Sequence, residues 1–370
     1  MIGTTLDTLR KKDLYRERVV WDKNLKDFAS NDYLGLSQRT KSLEKATQKV
    51  LNYGVVSPKA SMLVNGYHNI HRELEFYLAR MNRFESSILV GSGFLANIAL
   101  IESLVRKDCM LFIDSQYHAS GILATKLIKD RFVIFEHNNP ESLVDKLDEY
   151  PDKKAIIAIE GVYSMSGDLA RRDIFDIATC YDALLIVDEA HSSGVIGDRL
   201  LGIFDYYDID ITPNHIKMGT LGKAYGSYGA YILASKEIIS FLENRAKPII
   251  YSTSLSLLDT SLALTNLLHI NENLSHYRKT IKHQIHLIEK FLNIKKESLI
   301  VPIEAESNEA VIEIQKFMAS KGFLVGAIRQ PTVSKPLIRV IPNLSNSPSD
   351  FYDLSLYLRF SIPPQYKLDL

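Results

Sequence analysis

The run Ile216-Lys217-Met218-Gly219-Thr220-Leu221-Gly222-Lys223-Ala224-Tyr225-Gly226, downstream of Val187-Asp188-Glu189-Ala190-His191, decides the reading of this chain. A lysine set among glycines and a threonine makes a poor helix or core element but a good site for a Schiff base. An aspartate closing an apolar strand is what a protonated pyridine nitrogen needs. Taken singly, Lys223 reads as a solvated turn lysine and Asp188 as a helix cap. Together, in the company of the elements around them, they predict an enzyme that holds pyridoxal phosphate covalently on Lys223, with Asp188 under the ring nitrogen.

Around this pair, short apolar runs alternate with longer amphipathic ones. Residues 87–90, 110–113, 132–135, 155–159, 184–187 and 231–233 are strand candidates, and most lack the polar alternation of a half-exposed strand. Strands buried on both faces read this way. Helical patterns at 96–105, 120–129 and 173–181 lie between them, so the alternation predicts a mostly parallel sheet covered on both sides. Ligands of such sheets sit at the carboxyl ends of the strands, and Asp114, Glu160, Asp188 and Gly219 each close or follow one. A helical stretch at 254–292 breaks the alternation. Strand-like runs at 299–303, 323–328 and 337–341, with helices at 308–320 and 349–360, then predict a smaller α+β domain. Upstream, a charged helical stretch at 6–18 leads into an extended segment ending in Phe28-Ala29-Ser30-Asn31-Asp32-Tyr33-Leu34-Gly35-Leu36. The expected division is an N-terminal arm at 1–40, a large cofactor-binding domain at 41–262 and a small C-terminal domain at 263–370, ending in a loose tail at 363–366.

In 370 residues, 44 lysines and arginines balance 44 aspartates and glutamates, so no net field favours nucleic acid or an anionic membrane. Local groups must hold any anionic ligand. Cys109 and Cys180 cannot build a disulfide framework, which suits a reducing cytosol. Arg10, Lys11 and Lys12 are followed by no apolar stretch, as a secretory signal would require. No apolar run approaches the roughly 20 residues that cross a bilayer. The expectation is a soluble cytoplasmic protein.

Gly91-Ser92-Gly93-Phe94-Leu95-Ala96-Asn97 follows a strand and opens a helix, where glycines let the backbone approach an anion and the helix N-terminus supplies N–H donors. The third glycine of a dinucleotide fingerprint is missing, so a single phosphate fits better than a pyrophosphate. In Ser115-Gln116-Tyr117-His118-Ala119-Ser120, His118 could lie flat on an aromatic cofactor, or be a surface histidine near a helix start. Ser164, in Glu160-Gly161-Val162-Tyr163-Ser164-Met165-Ser166-Gly167-Asp168, could reach a phenolic oxygen. Of Asp188 and His191, one could reach the ring nitrogen and the other the 3-oxygen. A metal reading of Asp188, Glu189 and His191 lacks a second ligand cluster of recognisable spacing, and no metal is expected.

These residues resemble, almost end to end, the α-oxoamine synthase group of fold-type I pyridoxal-phosphate-dependent transferases. The resemblance rests on Ser30-Asn31-Asp32-Tyr33-Leu34-Gly35-Leu36, Gly93-Phe94-Leu95-Ala96-Asn97, Glu160-Gly161-Val162-Tyr163-Ser164-Met165, Asp188-Glu189-Ala190-His191 and Thr220-Leu221-Gly222-Lys223, in this order and spacing. It implies an α/β fold: a large domain with a mostly parallel seven-stranded sheet, plus a smaller α+β C-terminal domain. Lys223 would carry the cofactor and then move the substrate's Cα proton. Asp188 would pair with the ring nitrogen, His191 and Ser164 with the 3-oxygen, and His118 would stack on the ring and touch substrate. Gly93, Phe94 and Thr220 would hold the phosphate, joined by Thr253 from the other subunit of a homodimer. Asn31 and Arg339 would take an amino-acid carboxylate, and Arg16, Arg329 and Thr332 would line an acyl-thioester path.

Ile250-Tyr251-Ser252-Thr253-Ser254 and Ala327-Ile328-Arg329-Gln330-Pro331-Thr332-Val333 most resemble the members of the biotin pathway. Those condense L-alanine with a pimeloyl thioester, carried on coenzyme A or on an acyl-carrier protein. The glycine-using members, 2-amino-3-ketobutyrate ligase and 5-aminolevulinate synthase, are the alternative. A regulator that binds the cofactor without catalysis would usually carry an added DNA-binding domain, for which this chain has neither spare length nor basic charge. One departure from the group is Val55-Val56-Ser57-Pro58-Lys59-Ala60-Ser61-Met62-Leu63-Val64-Asn65-Gly66, where relatives carry a glycine- and serine-rich run near the expected thioester entrance.

Overall fold

Apolar runs form eleven strands among residues 2–361, the part of the chain that the computed structural model describes. They are β1 (Lys26–Phe28), β2 (Ser86–Val90), β3 (Cys109–Asp114), β4 (Phe132–Phe135), β5 (Lys154–Glu160) and β6 (Leu184–Asp188), then β7 (His215–Thr220), β8 (Ala230–Ala234), β9 (Val301–Glu304), β10 (Phe323–Ile328) and β11 (Leu337–Val340). The tail expected at 363–366 lies outside the described residues. Two compact units result. One comprises Leu34–Ser164 and Asp168–Arg278, the other the described residues of Met1–Tyr33, Met165–Gly167 and Lys279–Leu370.

In the larger unit, seven strands run in the order β2-β8-β7-β6-β5-β3-β4. Only β8 is antiparallel to its neighbours β2 and β7; β7, β6, β5, β3 and β4 pair in parallel. This is the mostly parallel sheet expected from the alternating pattern, with the seven strands that the family resemblance implies. Apart from the partly exposed edge strand β4, its strands are buried on both faces, which is why they read as unbroken apolar runs. On one face Ile88, Leu111, Ile156, Ile186, Ile216 and Ile232 form a single core with Ala99, Leu100 and Leu104 of the helix Gly93–Leu104. Parallel pairing brings the carboxyl ends of β3, β5, β6 and β7 to one edge, and Asp114, Glu160, Asp188 and Thr220 close those strands.

The smaller unit carries a four-stranded sheet in the order β1-β10-β11-β9, with β1 parallel to β10 and the other pairs antiparallel. The helix Asn308–Ser320 falls on the residues its periodicity predicted. The helical stretch expected at 254–292 is two helices, Leu257–Glu272 and Leu274–Leu292. Asn273 separates them, its side-chain amide turned back onto the His269 carbonyl at 2.9 Å. The N-terminal helix runs over Ile2–Lys11 rather than 6–18. Asp13 adopts a left-handed φ of 53°, which ends a helix and which short polar side chains tolerate.

The atypical segment at 55–66 builds a largely exposed turn in the larger unit, with only Pro58 and Gly66 buried. The Ser61 hydroxyl donates to the Ile250 carbonyl at 2.8 Å, and the Ser254 N–H to the Ala60 carbonyl at 3.0 Å. A Cβ on Gly66 would stand 1.9 Å from the Ala60 oxygen, so only glycine fits. The segment therefore holds down the stretch that carries Thr253.

Replacing Ile186, fully buried at the centre of the large sheet, by alanine is expected to cost about 2–5 kcal/mol through lost transfer energy and a residual cavity. A urea titration checks this. An unchanged midpoint would mean that the sheet's core is not packed as described.

Candidate active site

Lys223 sits in the turn between β7 and β8. The turn is closed by Gly226 N–H to the Lys223 carbonyl at 2.9 Å and Ser227 N–H to the Leu221 carbonyl at 2.8 Å. Gly226 has a φ of +58°, and a Cβ there would lie 2.6 Å from that of Leu36, so the turn requires glycine. Half-buried within it, Lys223 brings its Nζ to 2.8 Å from His191 Nε2.

Asp188 closes β6 with its side chain buried. Its Oδ1 accepts the Ala190 N–H at 3.0 Å, and its Oδ2 accepts Asn97 Nδ2 at 3.0 Å. Asn97 also donates to the Ser120 hydroxyl at 2.9 Å and accepts from the Tyr117 hydroxyl at 2.7 Å. Ser120 Oγ in turn lies 2.7 Å from His118 Nδ1. A hydrogen-bonded chain thus runs from Asp188 through Asn97 and Ser120 to His118. Burial lowers the pKa of His118, Asp188 opposes that shift and Lys223 adds to it. The imidazole is therefore held toward its neutral form.

Glu160 closes β5 in register with Asp188. Its Oε2 accepts the Ser164 N–H at 3.0 Å, which fixes the turn presenting Ser164. Burial, then the charge of Asp188, pushes the Glu160 pKa well above the ordinary carboxyl value, with Lys223 opposing. Burial and the neighbouring Asp188 thus favour the neutral form of Glu160.

At the end of β7, Thr220 Oγ1 is buried without a hydrogen-bond partner. It faces Gly93, where a Cβ would stand 2.8 Å from Thr220 Cγ2. Gly93 and Phe94 open the helix Gly93–Leu104, capped by the Ser92 hydroxyl on the Leu95 N–H at 3.3 Å. The first N–H groups of a helix have no intrahelical acceptor. An orphan hydroxyl, a gap that only glycine leaves and a helix N-terminus together fit a phosphate group.

The structure thus brings Lys223, His191, Asp188, His118, Ser164, Gly93, Phe94 and Thr220 to the carboxyl edge of one sheet. Thr253 lies exposed in the stretch before the helix Leu257–Glu272, and no hydrogen bond among the described residues joins it to Thr220 or Lys223. Glu189 does not converge with Asp188 and His191. It is fully buried, accepting the Ile203 N–H and the Ser192 hydroxyl.

The other expected residues belong to the smaller unit and are described within it. Arg16 Nη2 donates to Thr332 Oγ1 at 3.1 Å. Arg329 Nη1 donates to the carbonyls of Asp13 and Tyr15 at 3.0 and 2.9 Å. Arg339 lies on β11, half-buried, its pKa lowered by burial against the opposing influence of Tyr33. Asn31 keeps a buried Oδ1 without a partner.

Sequence reading missed Asn97, Tyr117 and Ser120 as site residues, and it placed Glu160 at a ligand-binding strand end without giving it a role. Asn97 carried a signal: it is a fully buried amide on a helix otherwise lined with alanine, leucine and isoleucine. Buried amides in such places are there to make specific hydrogen bonds.

The chain belongs to the aminotransferase class I and II family, whose profile it matches over residues 23–349. Its relatives narrow this further. It is 47% identical over 358 residues to an 8-amino-7-oxononanoate synthase of Helicobacter pylori (strain J99 / ATCC 700824), covering 96% of each chain. It is 34% identical to the enzyme of the same name from Saccharophagus degradans, covering 89% of this chain and 84% of that one. Among solved structures, the 8-amino-7-oxononanoate synthase of Francisella tularensis aligns with a TM-score of 0.76 at 25% identity, over 92% of this chain and 99% of that one. Serine palmitoyltransferase from S. paucimobilis, at 19% identity, shares the fold with a TM-score of 0.88 over 97% of this chain and 96% of that one.

Replacing Asn97 by alanine leaves the Tyr117 hydroxyl and one Asp188 oxygen without their partner. The expected cost is about 1–3 kcal/mol per buried group left unsatisfied, read as a lower denaturation midpoint. An Asn97→Ala protein with wild-type stability would show that the chain of bonds from Asp188 to His118 does not exist.

Proposed function

We propose that this protein is a pyridoxal-phosphate-dependent C-acyltransferase, an 8-amino-7-oxononanoate synthase, condensing L-alanine with a pimeloyl thioester. The observation that carries the reading is the 47% identity with the H. pylori synthase over 96% of both chains. The convergence of Lys223, His191 and Asp188 on one sheet edge supports it. When bound, pyridoxal phosphate supplies a positively charged ring that takes up the negative charge developed at the amino acid's Cα.

Each residue of this chain then has a task. Lys223 Nζ would hold the cofactor covalently, and as a free amine it would remove the Cα proton of L-alanine and later return one. His191, 2.8 Å from that amine, orients it, and with Ser164 it would hold the cofactor's 3-oxygen. Asp188, its rotamer fixed by the Asn97 and Ala190 donors, would hold a proton on the ring nitrogen. His118, held toward its neutral form, would stack on the cofactor and touch substrate. Gly93, Phe94 and Thr220 hold the phosphate. Asn31 and Arg339 take the alanine carboxylate, and Arg16, Arg329 and Thr332 line the thioester path. In the overall reaction, a carbon–carbon bond forms between Cα and the thioester carbonyl and the thiol leaves. The alanine carboxylate departs as carbon dioxide, and a proton returns to Cα.

We further infer a cytoplasmic homodimer in which Thr253 of the partner subunit completes the phosphate site. The exposure of Thr253 supports this. Among the described residues, no helix is long and apolar enough to cross a membrane.

Lys223→Ala is expected to abolish turnover and the lysine-dependent visible absorbance of added pyridoxal phosphate. Normal turnover in that variant sinks the proposal. With wild-type protein, L-alanine and a pimeloyl thioester should release carbon dioxide. A response confined to glycine would move the protein to the glycine-using synthases.

A further inference from the structure

A cluster of titratable groups lies beside the site and has no part in the mechanism above. Asp114, fully buried at the end of β3, accepts the N–H groups of Gln116 and Asn138 and the Tyr163 hydroxyl, each at 2.7 Å. Its Oδ1 lies 3.0 Å from His137 Nδ1, while His137 Nε2 lies 3.0 Å from Asp168 Oδ2. Asn138 Nδ2 reaches Asp168 at 3.1 Å and the Leu169 carbonyl at 2.8 Å. The Tyr163 ring meets the imidazole edge-on, with centroids 4.4 Å apart and planes at 89°. The Tyr163 N–H also donates to the Asp168 carbonyl at 2.9 Å.

The cluster therefore ties together the loops that follow β3, β4 and β5. Two of these loops carry site residues. His118 lies just beyond Gln116, and Ser164 is bonded directly to Tyr163. We infer that His137 is a positioning residue: its ring, spanning Asp114 and Asp168, sets where His118 and Ser164 meet the cofactor.

The geometry also states the protonation. Each ring nitrogen faces a carboxylate oxygen, and only the doubly protonated imidazolium donates from both. Burial alone would lower the pKa of His137, but its hydrogen bonds to Asp114 and Asp168 overcome that and raise it to about 9. The groups facing it are Asp114, Asp168 and Tyr163, and Glu160 acts on Tyr163 in turn. A folded-state value above the ordinary one of about 6.5 means that the clamp is complete below that pH. It is lost as pH rises through about 9.

The positioning role rests on the proposed function, whereas the clamp itself can be read in cofactor-free protein. His137→Phe keeps the ring and removes both polar contacts. In the cofactor-free variant at neutral pH, amide hydrogen exchange at 115–118 and 161–164 is expected to rise about tenfold or more, with β5 unchanged. Raising the pH through 9 should bring wild-type protein toward the variant, after correction for intrinsic exchange rates. In the loaded enzyme, kcat/KM for L-alanine should fall about tenfold and the pH titration of the cofactor's visible band should move. Tyr163→Phe, a gentler change, should raise exchange at 161–164 alone, and it decides the matter if the first variant does not fold. Unchanged exchange in both variants overturns the clamp. Raised exchange with wild-type kinetics and an unmoved spectral titration leaves His137 merely structural and overturns the positioning role. Failure of wild-type protein to bind pyridoxal phosphate at Lys223 would strike the proposed function instead, with the exchange result standing apart.

Discussion

The register of β5, β6 and β7 is the constraint from which the site follows. Glu160 pairs with Asp188, and Asp188 with Met218. Beyond the strands the ladder continues as Gly161 N–H to the Asp188 carbonyl at 2.8 Å and Glu189 N–H to the Met218 carbonyl at 2.7 Å. A slip of one residue in β6 would turn Asp188 to the opposite face of the sheet and bring Glu189 or Val187 into its place. That slip is blocked from both faces, because Leu185, Ile186 and Val187 are each completely buried. The apolar residues of the strand thus fix the position of the carboxylate that follows them.

The helix Gly93–Leu104 converts that register into an assembled site. Its apolar face packs on the sheet, which places its N-terminus beside Thr220 and its Asn97 amide against Asp188. A single helix therefore sets the position of Gly93 against Thr220 and of Asn97 against Asp188 together. The turn holding Lys223 is fastened separately: Asn266 Nδ2, from the helix Leu257–Glu272, donates to the Tyr225 carbonyl at 2.8 Å. The Lys223 amine is thus carried on a loop, whereas Asp188 and Asn97 stay on a strand and a helix.

What the sequence made legible was whatever is local. β4 and β10 occupy the residues their apolar runs predicted, and the helix at Asn308–Ser320 matches its period. The short β1, which pairs with β10 from the far end of the chain, could be read only as an extended segment, since three residues carry no periodicity that names a partner. The polar groups that support the site were opaque for a related reason. Asn97 interrupts an apolar helix and His137 sits in a loop, and neither shows in sequence which distant carboxylate it meets. Lys223 and Asp188 stood out only as a pair, since a turn lysine or a strand-end aspartate alone reads as structural, and the order of the motifs around them reverses that reading.

The carboxyl edge of the large sheet gathers Asp114, Glu160, Asp188 and Glu189, all buried. Four such acids are tolerable only because each is compensated differently. Asp114 has the His137 cation and three donors. Glu189 has backbone N–H groups and, 3.9 Å away, the buried Lys217 ammonium; burial raises the one and lowers the other, and each opposes its partner's shift. Glu160 is pushed toward its neutral form. Asp188 is the member of the group whose two donors are an amide and a backbone N–H rather than a fixed cation on either side. Asp188 thus stands apart on this edge, held by neutral donors where Asp114 and Glu189 have cations beside them.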